Sequence, residues 1–453
     1  MQEVTLAEML DAREARAAAQ AALQARFPNA SLISFTLNIP GPVKVTPAVV
    51  RAFHDGCRRI DAVLIDLPVV FREARRPHTG CEALWAVEAP ALSLKEACAA
   101  LEDKNALGRL FDIDVLAPNG RKIDRAEVGK PERGCMVCGA PGRGCASRRL
   151  HSVPELQAAA FGRIDAHFRK ADAARIGALA AQALRDEVCA TPKPGLVDRN
   201  NTGSHKDMDL NTFLRSADAL EGYFITCTTL GMEGRSLPPE VLFSHLRAAG
   251  LEAEAAMFAA TDGINTHKGA IYTLGVLCGA IGYRWTAERP VAETDVLLDT
   301  CAALTAASAA ADFAAVDRAD PKTAGERLYL QYGLRGIRGE VADGLPALRS
   351  RGLPAFRRAL ADGHTAEESG ILALLHLIAH TDDTTLWHRG GRDGAAYAQR
   401  AAADLLKASP FPTAEQIAAL DRDFIARRLS PGGCADLLAV LFFLHRLQTE
   451  PEA

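Results

Sequence analysis

The stretch that organises this chain is Thr191-Pro-Lys-Pro-Gly-Leu-Val-Asp-Arg-Asn-Asn-Thr-Gly-Ser-His-Lys-Asp-Met-Asp209. Long Ala/Leu helical patterns lie on both sides of it. Pro192 and Pro194 remove two backbone donors and favour extended geometry before them, so the preceding helix ends here. The loop carries titratable side chains, and such loops on a helical scaffold are common places for sites. We expect a functional site here; the alternative is a polar connection with ordinary caps.

A second motif, Thr261-Asp-Gly-Ile-Asn-Thr-His-Lys-Gly269, precedes a long apolar run. We predict that Asn265 or Thr266 caps a helix there, with His267 and Lys268 in the first turn. Cations are unfavourable at a helix N-terminus unless an anion is bound. A bound triphosphate would satisfy the free N–H groups and the lysine together. The alternative is an exposed lysine in a frayed turn.

A third motif, Gly336-Ile-Arg-Gly-Glu340, is rich in charge. Arg335 and Arg338 are three residues apart, so they could share a helical face or bind phosphate together. Glu340 could orient an arginine or act as a base.

Two more polar segments follow. The first combines Thr381-Asp-Asp-Thr-Thr385 with Arg389. The second is Ser430-Pro-Gly-Gly-Cys-Ala-Asp-Leu-Leu438, in which Ser430 is a predicted N-cap and the glycines permit close backbone approach. The alternative for Ser430 is a plain cap without a functional role.

Residues 166–450 resemble the triphosphoribosyl-dephospho-CoA synthases, which make the precursor of the citrate lyase prosthetic group. The resemblance rests on four ordered motifs: Thr191–Asp209, Thr261–Gly269, Gly336–Glu340 and Ser430–Leu438. It implies an enzyme that joins ATP to 3′-dephospho-CoA, releases adenine and keeps the triphosphate. This glycosyl transfer needs a carboxylate base, Mg²⁺ and cationic groups on the triphosphate. The chain has Cys434 where this family usually has serine.

For this reaction we expect Asp207 and Asp209 to bind Mg²⁺ or to act as the base, with Glu340 as a further catalytic candidate. Lys193 and Lys268 are the expected phosphate ligands. The other expected substrate-binding residues belong to the same motifs: Asp198, His205, Asn265, His267, Arg335, Arg338, Asp382, Arg389, Ser430, Gly432 and Gly433.

The composition limits the class of protein. With 453 residues and 48% apolar composition, the chain is too long for one core and predicts two or three domains. The net charge of −4 and the pI of about 6.3 show no excess of positive charge of the kind that binds nucleic acid. We see no secretory signal and no apolar run of membrane-spanning length, and we expect eleven reduced cysteines in the cytoplasm.

The N-terminal third alternates helical and strand-like patterns, which predicts an α/β or α+β domain. Residues 62–67 could be a strand or the end of a helix. From residue 173 onward helical periodicity continues without strands, which predicts a larger all-α domain. The other predicted elements are helices at 5–26, 47–60 and 93–101 and strands at 31–39 and 84–87.

Paired carboxylates stand out in Leu110-Phe-Asp-Ile-Asp-Val-Leu116. On a strand, alternate side chains share a face, so Asp112 and Asp114 project together, away from the apolar residues between them. Two carboxylates on a rigid strand suit Mg²⁺ and a bound phosphate chain. The alternative is a pair of solvated edge residues.

Cysteines are clustered at Cys135-Met-Val-Cys138 and Cys145, with His151 beyond them. These residue types are zinc ligands, and the intervening glycines would let them turn inward. The spacing is not that of a standard zinc ribbon. Zinc and a loop with incidental thiols therefore both stay open.

Residues 27–155 resemble the citrate lyase holo-acyl-carrier-protein synthases, a nucleotidyltransferase-like family. The resemblance is carried by 32–44, 108–116 and 135–155. It implies transfer of phosphoribosyl-dephospho-CoA to a serine of the apo acyl carrier (gamma) subunit of citrate lyase, with release of pyrophosphate. It also implies Mg²⁺ at Asp112 and Asp114, and phosphate at Lys44 or Arg109.

The two resemblances together predict a bifunctional maturation enzyme, with residues 1–165 as the transferase domain and residues 166–453 as the synthase domain. One alternative is the equivalent enzyme of malonate decarboxylase, which uses the same chemistry. Another is a non-catalytic assembly factor that binds the lyase carrier subunit.

Overall fold

The structure, a computed structural model, describes residues 2–140 and 142–450, without the side chains of residues 142, 143 and 146. It divides into two compact units, Met1–Lys170 with Thr286–Arg289, and Ala171–Trp285 with Pro290–Ala453. The first is built around a small sheet, and the second is helical.

The smaller unit contains a four-stranded sheet in the order β2-β3-β1-β4, with every neighbouring pair antiparallel. Because all pairs are antiparallel, the unit is α+β. The strands are β1 (Ser31–Leu37), β2 (Val69–Arg75), β3 (Glu82–Val87) and β4 (Phe111–Leu116). The helices are α1 (Leu6–Arg26), α2 (Pro47–Val63), α3 (Ala91–Asp103) and α4 (Gly142–Arg148), with 3₁₀ turns at Gly108–Leu110 and Arg125–Val128.

The predicted elements of this unit are confirmed, and two elements, β2 and the short helix α4, were not predicted. The segment at 62–67 is the end of α2 and a turn, which settles the choice left open by the sequence. The edge strand β2 was not predicted; its seven residues are exposed or half-buried, so they show no alternation of apolar and polar residues.

Aromatic packing holds α2 against the sheet. The ring of Phe35 stacks on Phe53 at 5.4 Å and meets Phe111 edge-on at 5.2 Å. A Cβ at Gly56 would lie 2.3 Å from the Phe35 ring, so only glycine permits this approach. Phe111 and Ile113 are buried on this side, and Asp112 therefore projects from the opposite face of β4.

The larger unit contains no strand among the residues that the structure describes, as predicted. Helix α5 begins in the smaller unit and ends in the larger one. The helices are α5 (Val153–Cys189), α6 (Leu210–Glu233), α7 (Pro239–Ala260), α8 (Lys268–Arg284), α9 (Thr294–Ala314), α10 (Ala324–Tyr332), α11 (Gly336–Ala342), α12 (Leu353–Ala361), α13 (Ala366–His380), α14 (Thr384–Ala408, interrupted at Gly391), α15 (Ala414–Ala426) and α16 (Gly432–Thr449), with a 3₁₀ turn at Gly234–Ser236 and a π turn at Leu348–Gly352.

Small residues bring the central helices of this unit close together. A Cβ at Gly231 would lie 2.2 Å from the carbonyl oxygen of Gly279, and one at Gly282 would lie 2.1 Å from that of Thr228. Glycine is therefore required where α6 crosses α8. The apolar α8 is buried along most of its length.

Within the described residues, one helix, α9, has the length and mean hydropathy (1.4) of a membrane span. It packs against α7, α8 and α11. One such helix is weak evidence for a membrane protein, because core helices have the same composition.

Candidate active sites

A cavity of about 370 Å³ lies in the larger unit, which is a typical size for a ligand site. Segments that are far apart in the sequence meet there, at the end of α5 and at the starts of α8, α14 and α16. Its polar lining consists of Glu187, Lys193, His205, Asn265, Thr266, His267, Lys268, Thr384, Thr385, His388, Arg389, Ser430 and Asp436, together with the backbone of Gly432.

The predicted phosphate ligand Lys193 is 1% exposed. Its Nζ donates to Oε1 of Glu187 at 2.5 Å and to the carbonyl oxygen of the same residue at 2.6 Å. Burial raises the pKa of Glu187, and the nearby ammonium partly offsets this shift. The cavity therefore has a buried ion pair at its base.

The loop that carries Lys193 is shaped by Asp198. This buried carboxylate accepts hydrogen bonds from the backbone N–H groups of Lys193 (3.0 Å), Asn200 (2.7 Å) and Asn201 (3.1 Å). Asp198 does not line the cavity. Its contacts are those of a residue that positions Lys193.

A hydrogen-bonded chain crosses the cavity wall at His205. Arg389 donates to Nδ1 of this histidine at 3.0 Å, so Nε2 carries the proton and donates to Oγ of Ser430, also at 3.0 Å. Burial, reinforced by the Arg389 charge, lowers the pKa of His205 to about 4, and Asp207 offsets part of the shift. The imidazole is therefore neutral near pH 7.

His267 is fully buried and keeps one nitrogen without a protein partner. Thr266 donates to Oγ of Ser216 (2.8 Å), which leaves the serine hydroxyl to donate to Nδ1 of His267 at 2.7 Å. The proton then lies on Nε2, which is buried and has no hydrogen-bond partner. Burial, then the charge of Lys193, lowers the pKa of His267 to about 3. This residue offers a neutral donor to a ligand.

Asp436 is a carboxylate that sequence reasoning did not select. Burial raises its pKa well above the usual value, and the charges of Asp383 and Glu187 raise it further. Its Oδ2 lies so close to Gly269 that a Cβ there would be 1.8 Å away, so the carboxylate sits at the N-terminus of α8. Glu187 was missed as well.

Asp383 connects two helix starts at the edge of the cavity. It accepts N–H bonds from Thr385 (2.7 Å) and Leu386 (3.1 Å) in α14, and from Cys434 (2.9 Å) in α16. Burial raises its pKa, although these bonds act in the opposite direction.

The predicted caps are wrong at two helices. α8 begins at Lys268 with His267 as its N-cap, and the His267 side chain makes no capping hydrogen bond; the hydroxyl of Thr266 binds Ser216 instead. α16 begins at Gly432 with Pro431 as its N-cap. Ser430 binds His205 rather than this helix.

The two aspartates expected to bind Mg²⁺ or act as the base lie outside the cavity lining. Asp209 is the N-cap of α6, and its Oδ1 accepts from both N–H and Oγ1 of Thr212 at 2.8 Å. Asp207 is exposed on the same loop and affects the pKa of His205. Their catalytic roles stay predictions.

The arginines of the third motif also lie outside the lining. Arg335 pairs with Asp343, and Arg338 lies 3.6 Å from a carboxylate oxygen of Asp312.

Three more predicted residues do not line the cavity. Oε1 of Glu340 accepts from the N–H of Ala347 at 2.6 Å, and burial raises its pKa. Asp382 is exposed, and Gly433 packs against Asp383.

The smaller unit has a second cavity, of about 1120 Å³. Asp112 and Asp114 lie on one face of β4, opposite Thr36 and Ser34 of β1, which confirms the predicted alternation. The lining contains every residue predicted for this unit except Cys138: Lys44, Arg109, Asp112, Asp114, Cys135, Cys145 and His151.

Basic side chains surround this carboxylate pair. Lys122 Nζ lies 2.6 Å from Oδ1 of Asp114, and Arg133 lies 3.7 Å from Oδ1 of Asp112; sequence reasoning missed both. Arg109 Nε donates to a backbone carbonyl at 2.9 Å, and burial, then nearby arginines, lowers its pKa.

Lys44 belongs to the same cavity. It donates to the carbonyl oxygen of Ile39 at 2.6 Å, and burial, followed by the charge of Arg13, lowers its pKa.

The cysteine cluster is brought together in space. The sulfurs of Cys135, Cys138 and Cys145 and a ring nitrogen of His151 all lie within 4.8 Å of one another. All eleven cysteines of the chain are free thiols.

Comparison with known proteins agrees with this organisation. The model of the ATP:dephospho-CoA triphosphoribosyl transferase family matches residues 173–453, and that of the apo-citrate lyase phosphoribosyl-dephospho-CoA transferase family matches residues 4–167.

Similar proteins in several bacteria share one or both parts. Protein CitXG of Haemophilus influenzae is 35% identical over 98% of this chain and 96% of its own length. Protein CitXG of Leuconostoc mesenteroides subsp. cremoris is 30% identical over 98% of both chains. The 2-(5″-triphosphoribosyl)-3′-dephosphocoenzyme-A synthase of Pectobacterium atrosepticum is 42% identical over 60% of this chain and 88% of its own length. The chain therefore belongs to the ATP:dephospho-CoA triphosphoribosyl transferase family and carries, on the same polypeptide, a domain of the apo-citrate lyase phosphoribosyl-dephospho-CoA transferase family, which makes it a transferase of citrate lyase prosthetic-group maturation.

Proposed function

We propose that residues 166–453 join ATP to 3′-dephospho-CoA and that residues 1–165 transfer the product to the apo acyl carrier subunit of citrate lyase. In the first reaction, the bond between C1′ of ATP and adenine breaks, and C1′ bonds the 2′ oxygen of dephospho-CoA. In the second, a carrier serine attacks the first phosphorus of the triphosphate, and pyrophosphate leaves. The proposal rests on family membership and on the two polar cavities.

In the larger unit, Asp436 is our candidate for the general base. It lines the cavity, where a carboxylate is placed to take the proton of the attacking hydroxyl, and burial raises its pKa. Negative charge near C1′ also stabilises a ribosyl cation-like transition state. Glu187 supplies further charge, but it is held by Lys193.

Neutral and cationic donors line the same cavity. Nε2 of His267 has a proton and no protein partner, so it is placed to donate to a ring nitrogen of the departing adenine. Lys268 and Arg389 are suited to the triphosphate. Lys268 would exchange its 2.7 Å ion pair with Glu254 for phosphate.

Mg²⁺ fits the donors present in the smaller unit. Asp112 and Asp114 offer carboxylate oxygens on one face of a rigid strand, which are the ligands this ion prefers. When bound, Mg²⁺ would neutralise triphosphate charge and orient the leaving pyrophosphate. Arg109, Arg133 and Lys122 would hold the phosphates beside it. In the larger unit, Asp207 remains our candidate ligand for the ion that accompanies ATP.

The observation that carries the synthase assignment is the meeting of Asp436, Lys193 and His267 in one cavity, from three separate motifs. The test is to incubate the full chain with ATP, 3′-dephospho-CoA, Mg²⁺ and apo carrier subunit. We expect adenine release, pyrophosphate release and modification of the carrier. Carrier binding without either release would instead identify a non-catalytic assembly factor.

A further inference from the structure

We propose that Cys135, Cys138, Cys145 and His151 bind one zinc ion in a closed structural site. Neither reaction of the proposed function uses these side chains. The proposal depends on their geometry in the smaller unit and is independent of which residues are catalytic.

The spacing of the ligand atoms fits a tetrahedral ion. Zn–S bonds of about 2.3 Å place two sulfurs about 3.8 Å apart around the metal. The Sγ atoms of Cys138 and Cys145 lie 3.4 Å apart, and Nε2 of His151 lies 3.3 Å from Sγ of Cys138. All four ligand atoms lie within 4.8 Å of one another. Small shifts would therefore accommodate a zinc ion.

The backbone between the first two cysteines is folded to present both thiols. The N–H of Gly139 donates to the carbonyl oxygen of Cys135 at 3.0 Å, and the N–H of Cys135 donates to that of Ala140 at 2.6 Å. Gly139 has a φ of +75°, which favours glycine. The N–H of Val137 also points to Sγ of Cys135 at 3.4 Å. Such N–H contacts stabilise a thiolate ligand.

The donor set favours zinc over the other common ions. Three sulfurs and one imidazole suit Zn²⁺, whereas Mg²⁺ and Ca²⁺ require oxygen ligands. Four protein ligands complete the coordination and leave no open position for substrate or water. The site is therefore structural.

The ion would stabilise one wall of the cavity in the smaller unit. The lining of that cavity includes Cys135, Cys145 and His151. Backbone carbonyl oxygens of the same loop accept hydrogen bonds from two arginines. Arg109 donates to the carbonyl oxygen of Gly134, and Arg163 donates to that of Met136 at 2.7 Å. Fixing this loop would keep Arg109 beside the phosphate-binding region.

The first test is metal analysis of the full chain purified without chelator. We expect one zinc per chain, and we expect modification of Cys135, Cys138 and Cys145 by a thiol reagent to release it. Reconstitution with Co²⁺ should give the absorption bands of tetrahedral thiolate coordination. Absence of zinc together with failure to bind Co²⁺, or a disulfide between Cys138 and Cys145 in freshly purified protein, would overturn the proposal.

The second test compares ligand variants with a matched cysteine variant. Cys138→Ser and His151→Ala should lose most of the zinc, whereas Cys189→Ser in the larger unit should keep it. A cooperative urea-unfolding transition of the smaller unit would show that the variants remain folded, since adenine release reports only on the larger unit. Full zinc content in both ligand variants would contradict the assignment.

Discussion

Nζ of Lys193 lies 2.5 Å from Oε1 of Glu187, and the lysine is 1% exposed. Burying two charges is costly, so the pair is stable only while both partners are present. The same lysine lowers the pKa of His267. This contact therefore connects the stability of the larger unit with the electrostatics of its cavity.

We expect Lys193→Ala to destabilise the larger unit by about 3–5 kcal/mol, because it leaves Glu187 buried without its partner. Protonation of that carboxyl, whose pKa is already raised, should reduce the loss at low pH. Urea unfolding of Lys193→Ala, Glu187→Gln and the double variant would measure the coupling. Strictly additive losses would show that the two side chains do not interact.

Removing the His267 imidazole should reduce the acid sensitivity of the larger unit. Its folded pKa of about 3 lies below the usual 6.5, so between these values only the unfolded chain binds the proton. The stability that the neutral imidazole contributes is complete above pH ~6.5. As the pH falls, the free energy of unfolding decreases by up to about 1.4 kcal/mol per pH unit.

Other groups of the larger unit also have shifted pKa values. Buried Glu187, Asp383 and Asp436, with raised pKa values, act in the opposite direction, and His205 acts in the same direction. The measurement is therefore the difference in slope between wild type and His267→Gln from pH 4.5 to 6.5, by urea unfolding. Identical slopes would show that the imidazole is protonated in the folded state.

Asp112→Asn combined with Asp114→Asn should abolish pyrophosphate release and carrier modification while adenine release continues. Both carboxylates line the cavity of the smaller unit, and removing them removes the expected Mg²⁺ ligands. Asp66→Asn, an exposed aspartate of the same unit, is the matched control and should keep both activities. Unchanged carrier modification in the double variant would exclude the proposed metal site.

Much of the architecture was predictable because its causes are local. Pro192 and Pro194 marked the end of α5, and alternation in Phe111–Leu116 placed Asp112 and Asp114 on one face. The edge strand Val69–Arg75 was missed because exposed charged side chains replace the apolar alternation.

The cavity was only partly predictable, because it depends on packing between distant helices. Lys193, His267 and Lys268 lie in polar motifs that stand out in the sequence, and all three line the cavity. Glu187 follows Arg185 and Asp186 in α5, and Asp436 lies inside the motif Ser430–Leu438, so neither carboxylate stands out from its neighbours. The packing of α5, α8 and α16 brings them to the site. The raised pKa values of these two carboxyl groups result from burial in the folded unit, so the local sequence does not reveal them.

Conspicuous aspartates can also have local roles. Asp209 is a residue type that often binds metal ions, but its carboxylate caps α6. A short polar side chain before a helix serves equally well as a cap, and the sequence alone does not separate the two uses.

The central claim is that adenine leaves ATP in the cavity that contains Asp436. The most direct test measures adenine release by Asp436→Asn with ATP and dephospho-CoA, and carrier modification by the same variant with preformed 2′-(5″-triphosphoribosyl)-dephospho-CoA. Loss of a general base predicts a fall in adenine release of about 10²–10⁴-fold, with carrier modification retained. Exposed Asp404→Asn is the matched control. Adenine release at the wild-type rate in Asp436→Asn would contradict the account.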